Sequence, residues 1–283
     1  MNARFAREAE ETKDELPLAF GDYRGMVVVV YDDPLFLQAI REPEEFWRQP
    51  GFKILADQRN RLGVFRFSLS GGEVKNIVVK EYSSRGVNKL KSLFLPSKAA
   101  RAWRGALALT HRGLPTARPV AYFEKRRAGF VERSFFLSEK VEGAEEIRGL
   151  FRRPSASDLD PLLSALAGHL SLCHEMGILH CDLSDGNVLV KRDETGNFTF
   201  HLLDTNRIRV RKKIRVSSRV KNLIRLGIPP SLQKPFLKKY FGGRPLEMTS
   251  WVWYKMNKAV YAGYVELKKK LRLRRLARKL GVQ

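Results

Sequence analysis

The chain has 283 residues, 43% hydrophobic and 29% charged, enough to bury a sizeable core and to form two lobes. No apolar run approaches the roughly 18–20 residues of a membrane-spanning helix. Two cysteines, Cys173 and Cys181, make no disulfide framework. The formal charge of +23 is unevenly spread: Thr205 to Gln283 holds 23 Lys and Arg against Glu247 and Glu266 alone, a surplus of +21, while the first 204 residues are nearly balanced. Such asymmetry implies an anionic partner for the C-terminal third, whether nucleic acid, phospholipid headgroups or a phosphorylated substrate.

In chain order, residues 1–20 carry Glu8, Glu10, Glu11, Asp14 and Glu15 with no apolar h-region. They read as a disordered acidic tail rather than a signal peptide, which points to the cytoplasm. β-Branched and aromatic residues predict strands at Met26–Val30 and Phe52–Leu55. Val64–Leu69 alternates, Gly71-Gly72 supplies a turn, and Asn76–Lys80 resumes as a strand, which together predict a hairpin. Lys80 closes the apolar run Ile77-Val78-Val79, where it either projects from a rigid sheet into a cleft or reaches solvent at a strand end. A helix is predicted over 97–111, with Ser97 as N-cap and Gly113 and Pro115 as stops. Between Glu81 and Glu124 there is no Asp or Glu, so this helix offers no carboxylate to Lys80. Strands at Pro119–Glu124 and Arg133–Lys140 complete an antiparallel sheet of about five strands.

After a Gly- and Pro-containing linker at 141–154, Leu159, Leu162, Leu163, Leu166, Leu170 and Cys173 recur at helical spacing until Gly177. His169, Cys173 and His174 on this stripe lack a fourth partner at ligand spacing, so core packing is the better reading than zinc. The helix leads into His180-Cys-Asp182-Leu-Ser184-Asp-Gly-Asn187 and the apolar run Val188–Val190. Phe198–Leu203 alternates and ends on Asp204, predicting a second hairpin that brings Asn187 and Asp204 to one side. The arrangement suits phosphoryl transfer, in which an enzyme mostly positions reactants and neutralises charge. Asp182 would accept a hydroxyl proton, and Asn187 and Asp204 would hold Mg2+ against a triphosphate. The stretch 250–280 is predicted as a basic helix whose Trp251, Trp253, Tyr254, Met256, Val260, Tyr261 and Leu267 either lie on an anionic membrane surface or pack on the protein.

These segments, in this order, resemble a protein-kinase-like fold, and more closely the bacterial lipopolysaccharide inner-core kinases of the Kdo and heptose kinase group. The residues carrying the likeness are Gln-Arg-Asn at 58–60, Ile-Val-Val-Lys at 77–80, Ser-Lys-Ala-Ala-Arg-Ala-Trp-Arg at 97–104 and Gly-Leu-Pro-Thr-Ala-Arg-Pro at 113–119. They continue with Gly-Ile-Leu-His-Cys-Asp-Leu-Ser-Asp-Gly-Asn at 177–187 and Leu-Leu-Asp-Thr-Asn-Arg at 202–207. The resemblance implies that Lys80 contacts the α and β phosphates of ATP, Asp182 is the catalytic base, Asn187 and Asp204 bind Mg2+, and Glu139 sits in a hinge that reads adenine through backbone groups. It also implies an α+β bilobal fold: an N-lobe at 21–140, a C-lobe at 141–249 and a basic helical tail at 250–283.

The departures narrow the acceptor. No G-x-G-x-x-G precedes the strand of Lys80, so Arg59 and Asn60 would do with side chains what glycines do with backbone N–H groups. Ala102 lies about where relatives carry the carboxylate that pairs with the lysine. Ser184 replaces the lysine that protein kinases place two residues after the catalytic Asp, Thr-Asn-Arg replaces Phe-Gly after Asp204, and no Ala-Pro-Glu follows. A sugar hydroxyl of a membrane-borne lipopolysaccharide core glycolipid is therefore the expected acceptor, at the inner face of the cytoplasmic membrane. The alternatives are a catalytically weak or silent kinase-like module on an anionic surface and a protein Ser/Thr kinase. A nucleic-acid partner is not expected, since no reading helix or zinc finger accompanies the charge.

Overall fold

A computed structural model describes residues 14–48, 51–57, 60–83, 86–152 and 159–270. Residues 1–13 of the expected acidic tail, Arg59 and the stretch from 271 onward lie outside the described residues. The chain divides into two compact units, one of residues 1–103 and 118–140, the other of 104–117 and 141–283.

The first unit is built on an antiparallel sheet. Its strands are β1 (Glu15–Phe20), β2 (Tyr23–Val28), β3 (Lys53–Asp57), β4 (Asn60–Ser68), β5 (Val74–Tyr82), β6 (Pro119–Arg127) and β7 (Phe130–Glu139), in the order β1-β2-β6-β7-β5-β4-β3. Between them lie α1 (Pro34–Ala39), α2 (Val87–Lys91) and α3 (Lys98–Thr110). Seven strands stand where about five were expected. Part of the expected acidic tail is strand: Glu15 pairs with Val28 and Phe20 with Tyr23. Leu16, Leu18 and Phe20 alternate there and pack on the core, a period-2 signal that the neighbouring acidic residues obscure.

One face of this sheet is aromatic. Phe46, Phe123 and Phe135 are buried with Tyr23, Ile77, Val79 and Leu137, and their rings meet mostly edge-on, as Phe46 and Phe135 do at 6.0 Å and 89°. Such pairs add about 0.5–1.5 kcal/mol each to the burial of their area. Because Ile77 and Val79 point into this core, the pleat puts Val78 and Lys80 on the opposite face. Helix α1 starts on Asp33, which accepts from the N–H groups of Leu35 and Phe36 at 3.0 Å, with Pro34 in its first turn. Helix α3 starts on Ser97, whose Oγ accepts from Ala100 N at 3.0 Å, as predicted.

The second unit is helical around small sheets. It contains β8 (Glu145–Glu146), α4 (Ile147–Arg152), α5 (Leu159–Glu175), β9 (Ile178–His180), β10 (Val188–Arg192), β11 (Phe198–Leu202), β12 (Ile208–Val210), α6 (Val216–Leu223), α7 (Gln233–Tyr240) and α8 (Met248–Lys270). Residues Arg104–Ala117, expected in the N-lobe, belong to this unit. Gly105 explains it: a Cβ there would stand 2.1 Å from Thr205 O, so the second half of α3 lies directly against the turn after Asp204. Helix α5 is the central support, its buried Leu162, Leu163, Leu166, Leu170 and Cys173 following the predicted stripe. It ends at Gly177, whose φ of +76° and approach to Arg211 O leave no room for a side chain.

Two histidines of α5 are held neutral by burial. The pKa of His169 and that of His174 are both depressed to about 4, desolvation being the main cause. A base with a depressed folded pKa stabilises the fold above its unfolded value near 6.5, and this stability is lost as pH falls toward 4. Thermal unfolding followed by circular dichroism should therefore give a level melting temperature above about pH 6.5. Below it stability should fall by on the order of 1.4 kcal/mol per pH unit for each histidine. A melting temperature unchanged between pH 7 and 4.5 would contradict this account.

Candidate functional site

In the first unit, Lys80 sits on β5, a strand with neighbours on both sides, opposite Leu62 of β4 and Phe136 of β7. It is partly buried, not a solvated strand end, and its ammonium lies 5.2 Å from the Tyr82 ring centroid. Asn60 opens β4 opposite Tyr82, and its Oδ1 is buried without a hydrogen-bond partner among the described residues. Glu139 ends β7. Its carboxylate accepts from Tyr31 Oη at 2.9 Å and faces Arg118 at 3.9 Å, while its N–H donates to Arg118 O.

In the second unit the loop between β9 and β10 carries Asp182 and Asn187. Asn187 Nδ2 donates to Asp182 O at 2.8 Å, closing the loop on itself through the amide nitrogen. Strands β10 and β11 pair from Val188–Leu202 to Arg192–Phe198, the predicted hairpin. Leu203 N donates to Asn187 O at 2.9 Å, so Asp204 follows directly on the residue bonded to Asn187.

Asp204 adopts the left-handed conformation, φ 55° and ψ 46°, and leads a short turn over Thr205–Arg207. A non-glycine residue held there costs about 1 kcal/mol or more, and Asp is among the few that tolerate it. The turn compensates: Arg207 N donates to Asp204 O at 3.0 Å. The Asn206 amide, oriented to donate, reaches Asp204 O at 3.2 Å and Oδ1 at 3.0 Å.

His180 fastens the two loops to each other. Its Nε2 donates to Leu203 O at 2.7 Å and its Nδ1 accepts from Asp182 N at 3.2 Å. Accepting at Nδ1 requires a neutral ring, and burial depresses the pKa accordingly. The His180 carbonyl accepts from Asn222 Nδ2 at 2.8 Å; Asn222 Oδ1 accepts from His174 Nε2 at 3.0 Å; His174 Nδ1 accepts from Tyr240 Oη at 2.6 Å. This relay ties the loop to α5, α6 and α7. Arg148 of α4 adds a clamp, reaching Asp185 Oδ1 through Nε at 3.2 Å and Nη2 at 3.1 Å.

Arg225, just past α6, forms an ion pair with Asp182. His180, as a link, and Arg148, Asn222 and Arg225 were not singled out by sequence reasoning. The motif contains His180 and Asp185, but their partners lie far away in sequence.

Asn187 and Asp204 offer hard oxygen donors from two stretches joined by the Leu203 N to Asn187 O hydrogen bond, the chemistry Mg2+ takes. The described residues hold no group of three or more His, Cys, Asp or Glu that could hold a metal. A metal here would complete its shell with phosphate oxygens and water, as Mg2+ commonly does.

Residues 45–234 match the model of the family described as "Lipopolysaccharide kinase (Kdo/WaaP) family". Among solved structures, the chain is similar to "WaaP in complex with acyl carrier protein", with a TM-score of 0.56 and 22% identity over 80% of this chain and 96% of that one. That likeness shows a kinase-like fold, in keeping with the antiparallel sheet and helical second unit. No curated protein matches the chain.

The turn after Asp204 can be probed from behind. Gly105→Ala would push a methyl group into Thr205 O, with a Cβ contact of 2.1 Å; the expected cost is about 1–3 kcal/mol. Gly168→Ala, on α5 with nothing within 4 Å of the added Cβ, should instead stabilise by about 0.5–1 kcal/mol. Denaturant unfolding of both variants measures the contrast.

Proposed function

The chain belongs to the lipopolysaccharide kinase (Kdo/WaaP) family, and from that premise we propose that it transfers the terminal phosphoryl group of ATP to a sugar hydroxyl of the lipopolysaccharide inner core, on Kdo or heptose. The observation that carries this reading is that the His180 imidazole joins Asp182 N to Leu203 O, next to Asp204, while Asn187 closes on Asp182 O. Asp182 takes the proton of the acceptor hydroxyl, so that its oxygen attacks phosphorus as the bond to the leaving ADP oxygen breaks. Asn187 and Asp204 hold Mg2+, which when bound neutralises the phosphate charge. Within the first unit, Lys80 meets the α and β phosphates and Asn60, with Arg59, attends the nucleotide. Glu139 would offer adenine its carbonyl, since its N–H already donates to Arg118 O.

A peripheral position on the inner face of the cytoplasmic membrane belongs to the same proposal. No helix among the described residues is long and apolar enough to cross a membrane. Helix α8 divides its apolar residues instead. Tyr254 is fully buried and Trp251, Trp253 and Tyr261 pack on the core, whereas Met248, Val252, Met256, Val260, Tyr264 and Leu267 are exposed. These six recur almost every fourth residue and form one stripe along the helix, in a C-terminal third with a surplus of +21. That combination suits an anionic lipid surface.

Transfer of labelled phosphate from ATP and Mg2+ to core glycolipid tests the chemistry. Asp182→Ala and Asp204→Asn should each lower the rate by about 10²–10⁴, and equal transfer by wild type and Asp182→Ala would remove the base assignment. A chain that binds ATP without turnover would be the silent module. Co-sedimentation with vesicles tests the surface: binding should require anionic lipid, weaken with salt over the Debye range, and drop on Val260→Glu.

A further inference from the structure

Residues 181–187, Cys-Asp-Leu-Ser-Asp-Gly-Asn, contain no cation. A phosphoryl group in transfer spreads negative charge over its equatorial oxygens, and donors fixed in advance stabilise it. The turn after α6 brings one to this place. Arg225 pairs with Asp182, and its guanidinium carbon lies 5.4 Å from the Tyr261 ring centroid. The planar fork is therefore held between an aromatic face of α8 and a carboxylate.

The turn itself is locked. Lys258 of α8 donates to Leu226 O at 3.3 Å, and Gly227 backs so closely on Asp185 that a Cβ would stand 2.6 Å from its Oδ2. Two buried atoms at this point lack hydrogen bonds: Arg225 Nε and Asp182 Oδ1. The ion pair is thus one of position, without hydrogen-bond alignment, and the buried Nε is a donor still short of an acceptor. Leaving such a donor unsatisfied is costly. The rest of the fork is accessible, the Arg225 side chain being 35% exposed, so an oxygen of a phosphoryl group placed for attack beside Asp182 would meet the guanidinium there.

We propose that Arg225 is the phosphate-binding cation of this site, orienting Asp182 with one arm of its guanidinium and offering the accessible part of the fork to an oxygen of the phosphoryl group in transfer. The inference rests on the phosphotransfer reading above. Its consequence is that α8, through Tyr261, belongs to the catalytic apparatus as a positioning element.

The full chain as wild type, Arg225→Gln, Arg225→Lys and Tyr261→Leu would be compared in two measurements. The first is calorimetric affinity for Mg–ADP alone and for Mg–ADP with aluminium fluoride, which mimics the transferring phosphoryl group. Arg225→Gln should bind Mg–ADP as the wild type does but lose roughly 10–100-fold in affinity for the fluoride complex. The second is turnover: kcat should fall by about 10²-fold at unchanged KM for ATP, with partial recovery in Arg225→Lys. Tyr261→Leu should lower kcat by about threefold to tenfold, again without moving KM. Wild-type kcat and fluoride-complex affinity in Arg225→Gln would overturn the proposal. Should that variant not fold, the same result in Tyr261→Leu would overturn it. A wild-type chain that neither binds Mg–ADP nor transfers phosphate would bring down the phosphotransfer reading and the role of Arg225 with it.

Discussion

Two loops have to stand at a fixed separation for the second unit to do phosphoryl chemistry, and a buried imidazole sets that separation. His180 donates to Leu203 O at one nitrogen and accepts from Asp182 N at the other. Only the neutral ring with its proton on Nε2 can do both. Burial enforces that form by penalising the charged one. The same logic repeats behind it, where His174 is kept neutral and links Tyr240 to Asn222, which in turn holds the His180 carbonyl. Every polar atom of this relay has its partner, which is the condition under which a buried network rigidifies rather than weakens a core.

Around this relay the backbone is packed too closely for side chains to substitute for it. Gly105 against Thr205, Gly177 against Arg211 and Gly227 against Asp185 each place a chain segment where a Cβ would collide. At Asp204 the opposite holds, because a residue that carries a side chain is kept in a conformation glycine would adopt at no cost. The side chain is there at the expense of local backbone strain. The surrounding turn hydrogen bonds, from Arg207 and Asn206, offset it.

The sequence made much of this legible, for identifiable reasons. Period-2 alternation at 64–80 and 198–203 fixed the hairpins, and the period-3.6 leucine stripe fixed α5, since both signals are local. Asp182, Asn187 and Asp204 were readable because one short loop and one strand end bring them together. What escaped notice was long-range or masked by composition. Arg225 is one of 23 basic residues after Asp204, and nothing in its neighbours distinguishes it from a solvated arginine. Asn222 and Arg148 matter only through partners on other elements. Strand β1 was hidden by the carboxylates that precede it, and the close approach of Gly105 to Thr205 leaves no local mark in the sequence.

Helix α8 shows why charge and aromatic content alone left two readings standing. The aromatic residues at 251, 253, 254 and 261 face inward, with Trp253 Nε1 donating to Ser217 O at 2.9 Å and Trp251 stacked on Tyr254 at 6.0 Å. Such rings bring large apolar area together with a polar handle, and here both are spent on α6 and the core. The residues left outside are mostly aliphatic and recur at 248, 252, 256, 260, 264 and 267, a spacing that keeps them on one side of the helix. A helix needing only to cap the unit would carry polar side chains there. One face of α8 therefore packs against Arg225 and the turn after α6, while the other keeps an apolar stripe in a strongly basic segment. If that stripe meets a surface, the same element that anchors the protein also holds Arg225 beside Asp182.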